Sequence, residues 1–197
     1  MIVDTRWTFT AQGGGFEVAC LRDEHVTSDY VAWLNDEENR RFTAGSDKVT
    51  LESQRQYVRD VGAGEGRLLL GLFSGHDGLV GTSGMHEVGR LDADTSYMGI
   101  FIGHPGYRGR GLGAVWVWVV AAILFSSFSA LKVTAGCLSA NTPSVKSFEK
   151  AGFVIEQRSE RAEYLEGSGW TDSVLMGCVP TQLVDGDTIG VGGLGVV

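Results

Sequence analysis

Several protein classes are excluded by what this chain lacks. Its three cysteines, Cys20, Cys137 and Cys178, are odd in number, lie far apart and include no C-x-x-C spacing. Reduced thiols are expected, and a zinc site or other metal centre is not. Positive charge is also scarce: 16 Lys and Arg stand against 24 Asp and Glu, for a net charge of −8. Nucleic acid and anionic lipid both reward basic surfaces, so neither is expected as a partner. The opening MIVDTRWTFT has no basic region followed by an apolar run. A secretory leader is therefore not expected, and the cytoplasm is the expected compartment. No internal repeat and no linker divides the sequence.

What remains is a globular composition, with 43% hydrophobic and 20% charged residues in 197. That length suits one domain with a substantial core. Strand-like runs fall at Phe16 to Leu21, RLLLGLFS, GLVGTSGMHEV and SYMGIFIG, with turns at GHDG and GRLDAD between the last three. Before them, TSDYVAWLNDEENRRF places Tyr30, Trp33 and Leu34 on one helical face, with Thr27 or Ser28 as cap. A second helix is expected after Thr50. Further on, LKVTAGCLS reads as a strand and TPSVKSFEKAGF as a helix capped by Thr142, with Pro143 in its first turn and Gly152 at its left-handed exit. Two strands around EGSGWTD follow. The order predicts an α/β (α+β) single domain: a mixed, mostly antiparallel sheet flanked by helices. It spans 1–179, and the Gly-rich tail 180–197 shows no helical or strand period and is expected to be loosely ordered.

One stretch resists a simple reading. From Gly111 to Leu131 there is no charged side chain. A membrane span is disfavoured, because the strongly apolar part, Leu112 to Phe125, is only 14 residues long and suits a buried helix. Just before it, RGRGLG sits between a strand and that helix. Free N–H groups at a helix N-terminus, approached through glycines, hold an anion such as a phosphate. The alternative is a glycine-rich turn with solvated arginines. The helix itself is apolar around its whole circumference, with Trp116, Val117, Trp118, Val120 and Leu124, so every side needs cover. A second copy of the chain packed on 112–128, giving a homodimer, is one source of cover. The chain's own tail is the other.

RGRGLG fits R/Q-x-x-G-x-G/A and resembles the coenzyme A pyrophosphate loop of the GNAT superfamily of N-acetyltransferases. NTPSVKSFEKAGF is similar to that superfamily's N-x-x-S/A followed by an aromatic residue and a Gly-Phe pair. YVAWLNDEENRRF, SYMGIFIGHPGYRGRGLG and GWTDSVLMG resemble the branch with ribosomal-protein N-terminal acetyltransferases and amino-sugar N-acetyltransferases. The resemblance runs in order over about residues 14–179.

The resemblance implies a GNAT-like fold that moves an acetyl group from acetyl-coenzyme A to a primary amine by direct attack. The acceptor expected is a small molecule such as an amino sugar, with a peptide or protein N-terminal amine as alternative. A non-catalytic acyl-coenzyme A-binding module is the alternative of another class. Arg108, Gly109, Arg110, Gly111, Leu112 and Gly113 would hold the pyrophosphate. Backbone N–H groups of Ile100, Phe101 and Ile102 would polarise the thioester carbonyl. Asn141 would touch the pantetheine arm, or cap a turn. Many relatives place a tyrosine acid where this chain has Phe148, so Ser144 is expected to protonate the leaving thiolate. Where ribosomal-protein acetyltransferases often carry a glutamate base, Tyr97 stands. His86 and Glu87 are the replacements, and strand alternation admits only one of them to the cleft; Glu87 and Tyr97 are expected beside Ser144 as the catalytic set.

Overall fold

Alternation of side chains writes the first strand. In β1 (Arg6–Ala11), Trp7, Phe9 and Ala11 are buried while Arg6 and Thr10 face solvent. This strand was not among those expected, although its period of two is legible in RWTFTA. The computed structural model describes residues 4–42, 48–89, 95–165 and 169–197. The turns expected at GRLDAD and EGSGWTD fall in part outside those residues.

β1 turns through Gln12 and Gly13 into β2 (Gly14–Cys20). Helices α1 (Ser28–Asn35), α2 (Glu37–Arg40) and α3 (Leu51–Ala63) follow. Thr27 caps α1 by accepting the Tyr30 N–H at 3.2 Å, and Thr50 caps α3 through the Ser53 N–H at 3.1 Å. Then come β3 (Arg67–Ser74), β4 (Gly78–His86) and β5 (Thr95–Ile102), joined antiparallel as two hairpins, as the turn signals predicted. The uncharged segment forms α4 (Leu112–Phe128), followed by β6 (Lys132–Leu138), α5 (Thr142–Ala151), β7 (Val154–Leu165) and β8 (Gly169–Cys178). The tail supplies α6 (Gly186–Ile189) and β9 (Val191–Val196). Among the described residues nine strands form one sheet in the order β7-β8-β6-β5-β4-β3-β2-β1-β9, in which β5 and β6 alone pair parallel and the other neighbours are antiparallel.

The sheet separates two apolar layers. On one face, Val18, Leu70, Leu72 and Met98 pack against α4 and α5. On the other, Leu21 and Leu69 meet Tyr30 of α1 and Val58 and Val61 of α3.

The tail differs from expectation. β9 pairs antiparallel with β1, from Trp7 opposite Val196 to Ala11 opposite Val191. On its way there it crosses α5 and α4. The Val184 N–H donates to the Ala151 carbonyl at 3.2 Å, and Trp118 Nε1 donates to the Val184 carbonyl at 2.7 Å. Gly152 (φ +106°) could not carry a side chain, since a Cβ would collide with the Gln182 carbonyl. So the cover that α4 requires comes from within the chain, and its apolar circumference no longer calls for a second copy. Trp116, Val117, Val120 and Leu124 are fully buried. The tail's lack of periodicity hid this, because glycines pair through backbone groups that carry no side-chain signature. Deleting residues 181–197 is expected to lower stability on the order of 4 kcal/mol, at about 1 kcal/mol for each of Leu183, Ile189, Val191 and Leu194. A denaturant midpoint that stays in place would show the tail to be dispensable.

All three cysteines are buried, and none forms a disulfide among the described residues. Burial pushes the Cys178 thiol up to about 11. No helix among the described residues is long and apolar enough to cross a membrane.

Candidate active site

The site begins where β5 ends. After Ile102 the chain makes a short 3-10 turn over Pro105–Tyr107, then passes Gly109 (φ +71°) and Gly111 (φ +88°) into α4. Left-handed backbone is cheap only for glycine, which accounts for both positions. Gly111 caps α4 with no side chain to satisfy the first turn. Among the described residues, the N–H groups of Gly109, Arg110, Gly111, Leu112 and Gly113 donate to no protein acceptor. Five consecutive free donors at the positive end of a 17-residue helix form an anion cradle.

Three side chains hold that cradle in shape. Arg108 donates from Nε to the Ile102 carbonyl at 3.0 Å and from Nη2 to the Gly103 carbonyl at 2.5 Å. Its guanidinium thus clasps the loop to the strand end, where sequence reasoning expected it free for phosphate; Arg110 is the exposed cation. The Tyr107 hydroxyl lies 2.7 Å from Asp77 Oδ2 and 2.8 Å from Ser74 Oγ, tying the loop to the β3–β4 turn. The Tyr107 hydroxyl and then His76 hold the Asp77 carboxyl below its usual range. Gln12, at the β1–β2 turn, donates from Nε2 to the Arg110 carbonyl at 2.7 Å. Gln12 was not foreseen, because a contact 98 residues away in sequence leaves no local mark. Gln12→Ala is expected to weaken coenzyme A binding about threefold, the worth of one exposed hydrogen bond, without moving Tm; calorimetric titration checks it.

Next to the cradle the sheet splays open. Among the described residues β5 and β6 pair only from Thr95–Tyr97 opposite Lys132–Thr134. Beyond that β6 pairs solely with β8, so β5 from Met98 to Ile102 faces a gap. Peptide groups in a strand alternate in direction. Gly103 donates to the Val80 carbonyl at 3.0 Å, toward β4, whereas the Ile102 carbonyl accepts from Arg108 on the opposite side. The register with β4 is unbroken from Tyr97 to Ile102, so the Ile100 and Ile102 N–H groups point into the gap. Phe101 does not share that role: its N–H faces β4, and its side chain packs in the layer under α1 and α3.

The gap opens into a cavity of about 580 Å³ beneath α1, α2 and α3. Tyr30, Gln54, Tyr57, His86, Tyr97 and Thr134 contribute to its walls. Register places His86 directly opposite Tyr97, and Tyr97 opposite Thr134, so these three form one row on the cavity face. Gln54 Nε2 donates to the Tyr30 hydroxyl at 3.3 Å. Burial raises the Tyr30 phenol above its ordinary value. Glu87 is not among the lining residues. It follows the end of β4 in a left-handed turn (φ +58°), and its carbonyl accepts from Ser96 Oγ at 3.2 Å. Alternation therefore admits His86 to the cavity and turns Glu87 away.

Across the sheet, Asn141 caps α5 by accepting the Ser144 N–H at 3.2 Å, a role expected of Thr142. Ser144 Oγ lies 3.4 Å from Cys137 Sγ on β6. Ser144 and Asn141 thus sit on the α5 side of the gap, and His86 and Tyr97 on the cavity side. Phe148 is buried edge-to-face against Phe153, with centroids 5.1 Å apart. Trp33 of α1 packs on Gly103 and edge-to-face on His104 at 5.6 Å, joining the cavity's roof to the loop. Among the described residues no group of three or more His, Cys, Asp or Glu could hold a metal ion.

An anion cradle at a helix mouth, a splayed parallel strand pair and a cavity behind it define a coenzyme A-dependent acyltransferase architecture. The acetyltransferase (GNAT) domain family matches residues 20–154, and the chain belongs to that family. It is an acetyl-coenzyme A-dependent N-acetyltransferase. Similar folds include ribosomal-protein-S5-alanine acetyltransferase from Vibrio fischeri (17% identity, TM-score 0.75, 90% of this chain and 99% of that one). Mycobacterium smegmatis RimJ in complex with CoA-disulfide gives 17% identity and TM-score 0.80 over 93% of this chain and 90% of its own. Vibrio cholerae spermidine N-acetyltransferase with CoA and spermine gives 12% and 0.76 over 85% and 96%. Compared by sequence with curated proteins, the chain has no match.

Proposed function

We propose that the chain acetylates a primary amine of a small molecule bound in the cavity under α1–α3. The carrying observation is the continuity of three features: free N–H donors at residues 109–113, a gap beside β5, and a cavity behind it. The free donors fit a diphosphate, because they are consecutive, lie at the N-terminus of α4 and have no protein acceptor among the described residues. Acetyl-coenzyme A, when bound, supplies an activated acetyl thioester.

The residues divide the remaining tasks by face. Gly109 to Gly113 hold the diphosphate, with Arg110 adding charge at the rim. Ile100 and Ile102 N–H groups donate into the gap, where negative charge on an acyl oxygen would be stabilised. His86 takes the proton from the incoming ammonium, directly or through one water, with Tyr97 beside it in register. Ser144, on the α5 side, returns a proton to the leaving thiolate. Phe148 cannot take that part, since a phenyl ring has no proton to give.

Thiol release from acetyl-coenzyme A tests this reading against amino sugars, aminoglycosides, polyamines and short peptides. Release above the amine-free rate with a small amine is the expected result. Release with peptides alone would move the acceptor to a protein N-terminus. Coenzyme A binding without release on any amine would leave a binding module.

A further inference from the structure

A second cavity lies at the opposite end of β3 from the coenzyme loop. It has a volume of about 520 Å³ and sits at the junction of the two apolar layers. Val88 and Phe128 come from the layer under α4, and Leu21, Val58 and Leu69 from the layer under α3. Apolar walls of that extent suit the body of a small ligand.

The mouth offers one uncommitted cation. Three arginines and two carboxylates line it, and Asp4 and Glu52 add two carboxylates that pair with two of the arginines. Arg59 is engaged by Asp23 at 3.3 Å and Glu52 at 3.1 Å, and Arg22 by Asp4 at 2.7 Å. Arg67 is exposed, and its side chain makes no hydrogen bond or ion pair among the described residues. Gly62 of α3 also lines the cavity, and a Cβ built there meets nothing within 4 Å. Gly62 is exposed, so a larger side chain is accommodated there without a backbone clash.

From this we infer that the cavity is a ligand site for a small amphipathic anion, with an apolar body against Leu21, Val58 and Phe128 and its head at Arg67. The site borders the acceptor cavity twice. Leu69 forms a wall of both. Arg67 stands directly opposite His86 in the β3–β4 register, close enough for side chains to interact. An occupant alters the acceptor cavity through that shared wall and that pair. Its effect on turnover rests on the acceptor cavity assigned above; its occupancy does not.

Isothermal calorimetry of the full chain with decanoate and with decylammonium, equal in chain and opposite in charge, tests the site without turnover. Decanoate is expected to bind at one site, at least tenfold more tightly than decylammonium. Gly62→Leu fills the space at a helical position, so it should abolish decanoate binding with Tm unchanged or raised. Arg67→Glu should reverse the preference. Equal binding of the two probes, binding of neither, or decanoate binding retained in Gly62→Leu overturns the site. With an active amine, decanoate is expected to shift the acceptor's KM at least twofold while coenzyme A affinity holds. An unmoved KM in the presence of bound decanoate overturns the coupling.

Discussion

Gly111→Val is expected to reduce coenzyme A affinity more than 100-fold while leaving the protein folded. Gly111 holds φ at +88°, and valine resists that conformation. The loop would relax toward φ below zero and re-aim the N–H groups beside it. Hydrogen bonds to charged groups are worth about 1.5 kcal/mol each at the low end, so misdirecting two costs about 3 kcal/mol, or more than two decades in Kd. The fold tolerates the change because the Cβ meets only Gln12 Nε2, at 3.8 Å. Backbone strain of about 1–2 kcal/mol is small beside a typical stability of about 5–15 kcal/mol. Titration calorimetry together with a melting curve separates the two effects. Undiminished binding in the folded variant would remove the cradle from consideration, and the acetyltransfer site with it.

The second large effect falls on turnover. His86→Ala is expected to lower kcat/KM about 100-fold, the lower range for loss of a general base, with coenzyme A affinity unchanged. Glu87→Gln should change kcat/KM less than threefold. The two residues are neighbours in sequence, but β4 ends at His86 and Glu87 turns left-handed out of the strand. Stopped thiol assays on both variants decide between them. A large loss in Glu87→Gln with none in His86→Ala would hand the base role back to the glutamate.

Much of the fold was legible in the sequence. α1, α3, α5 and the β3–β4–β5 hairpins follow from periodicity and capping residues, because each is set by interactions within a few positions. RGRGLG and NTPS…FEKAGF likewise located the loop and α5. The N-terminal strand shows in the sequence only as the short alternation of RWTFTA. The tail was not visible: VGGLGV acquires strand geometry only by pairing with β1, about 180 residues earlier in the chain.

Composition and local pattern by themselves determined that this chain has a mixed α/β domain, a glycine-built helix mouth and a helix that cannot face water. Three matters were left to the tertiary structure: what covers that helix, whether Arg108 is free, and which of His86 and Glu87 looks inward. Each of these depends on groups far apart in sequence meeting at a few ångströms. Strand register and backbone direction settle such meetings, and neither is encoded by any single short segment.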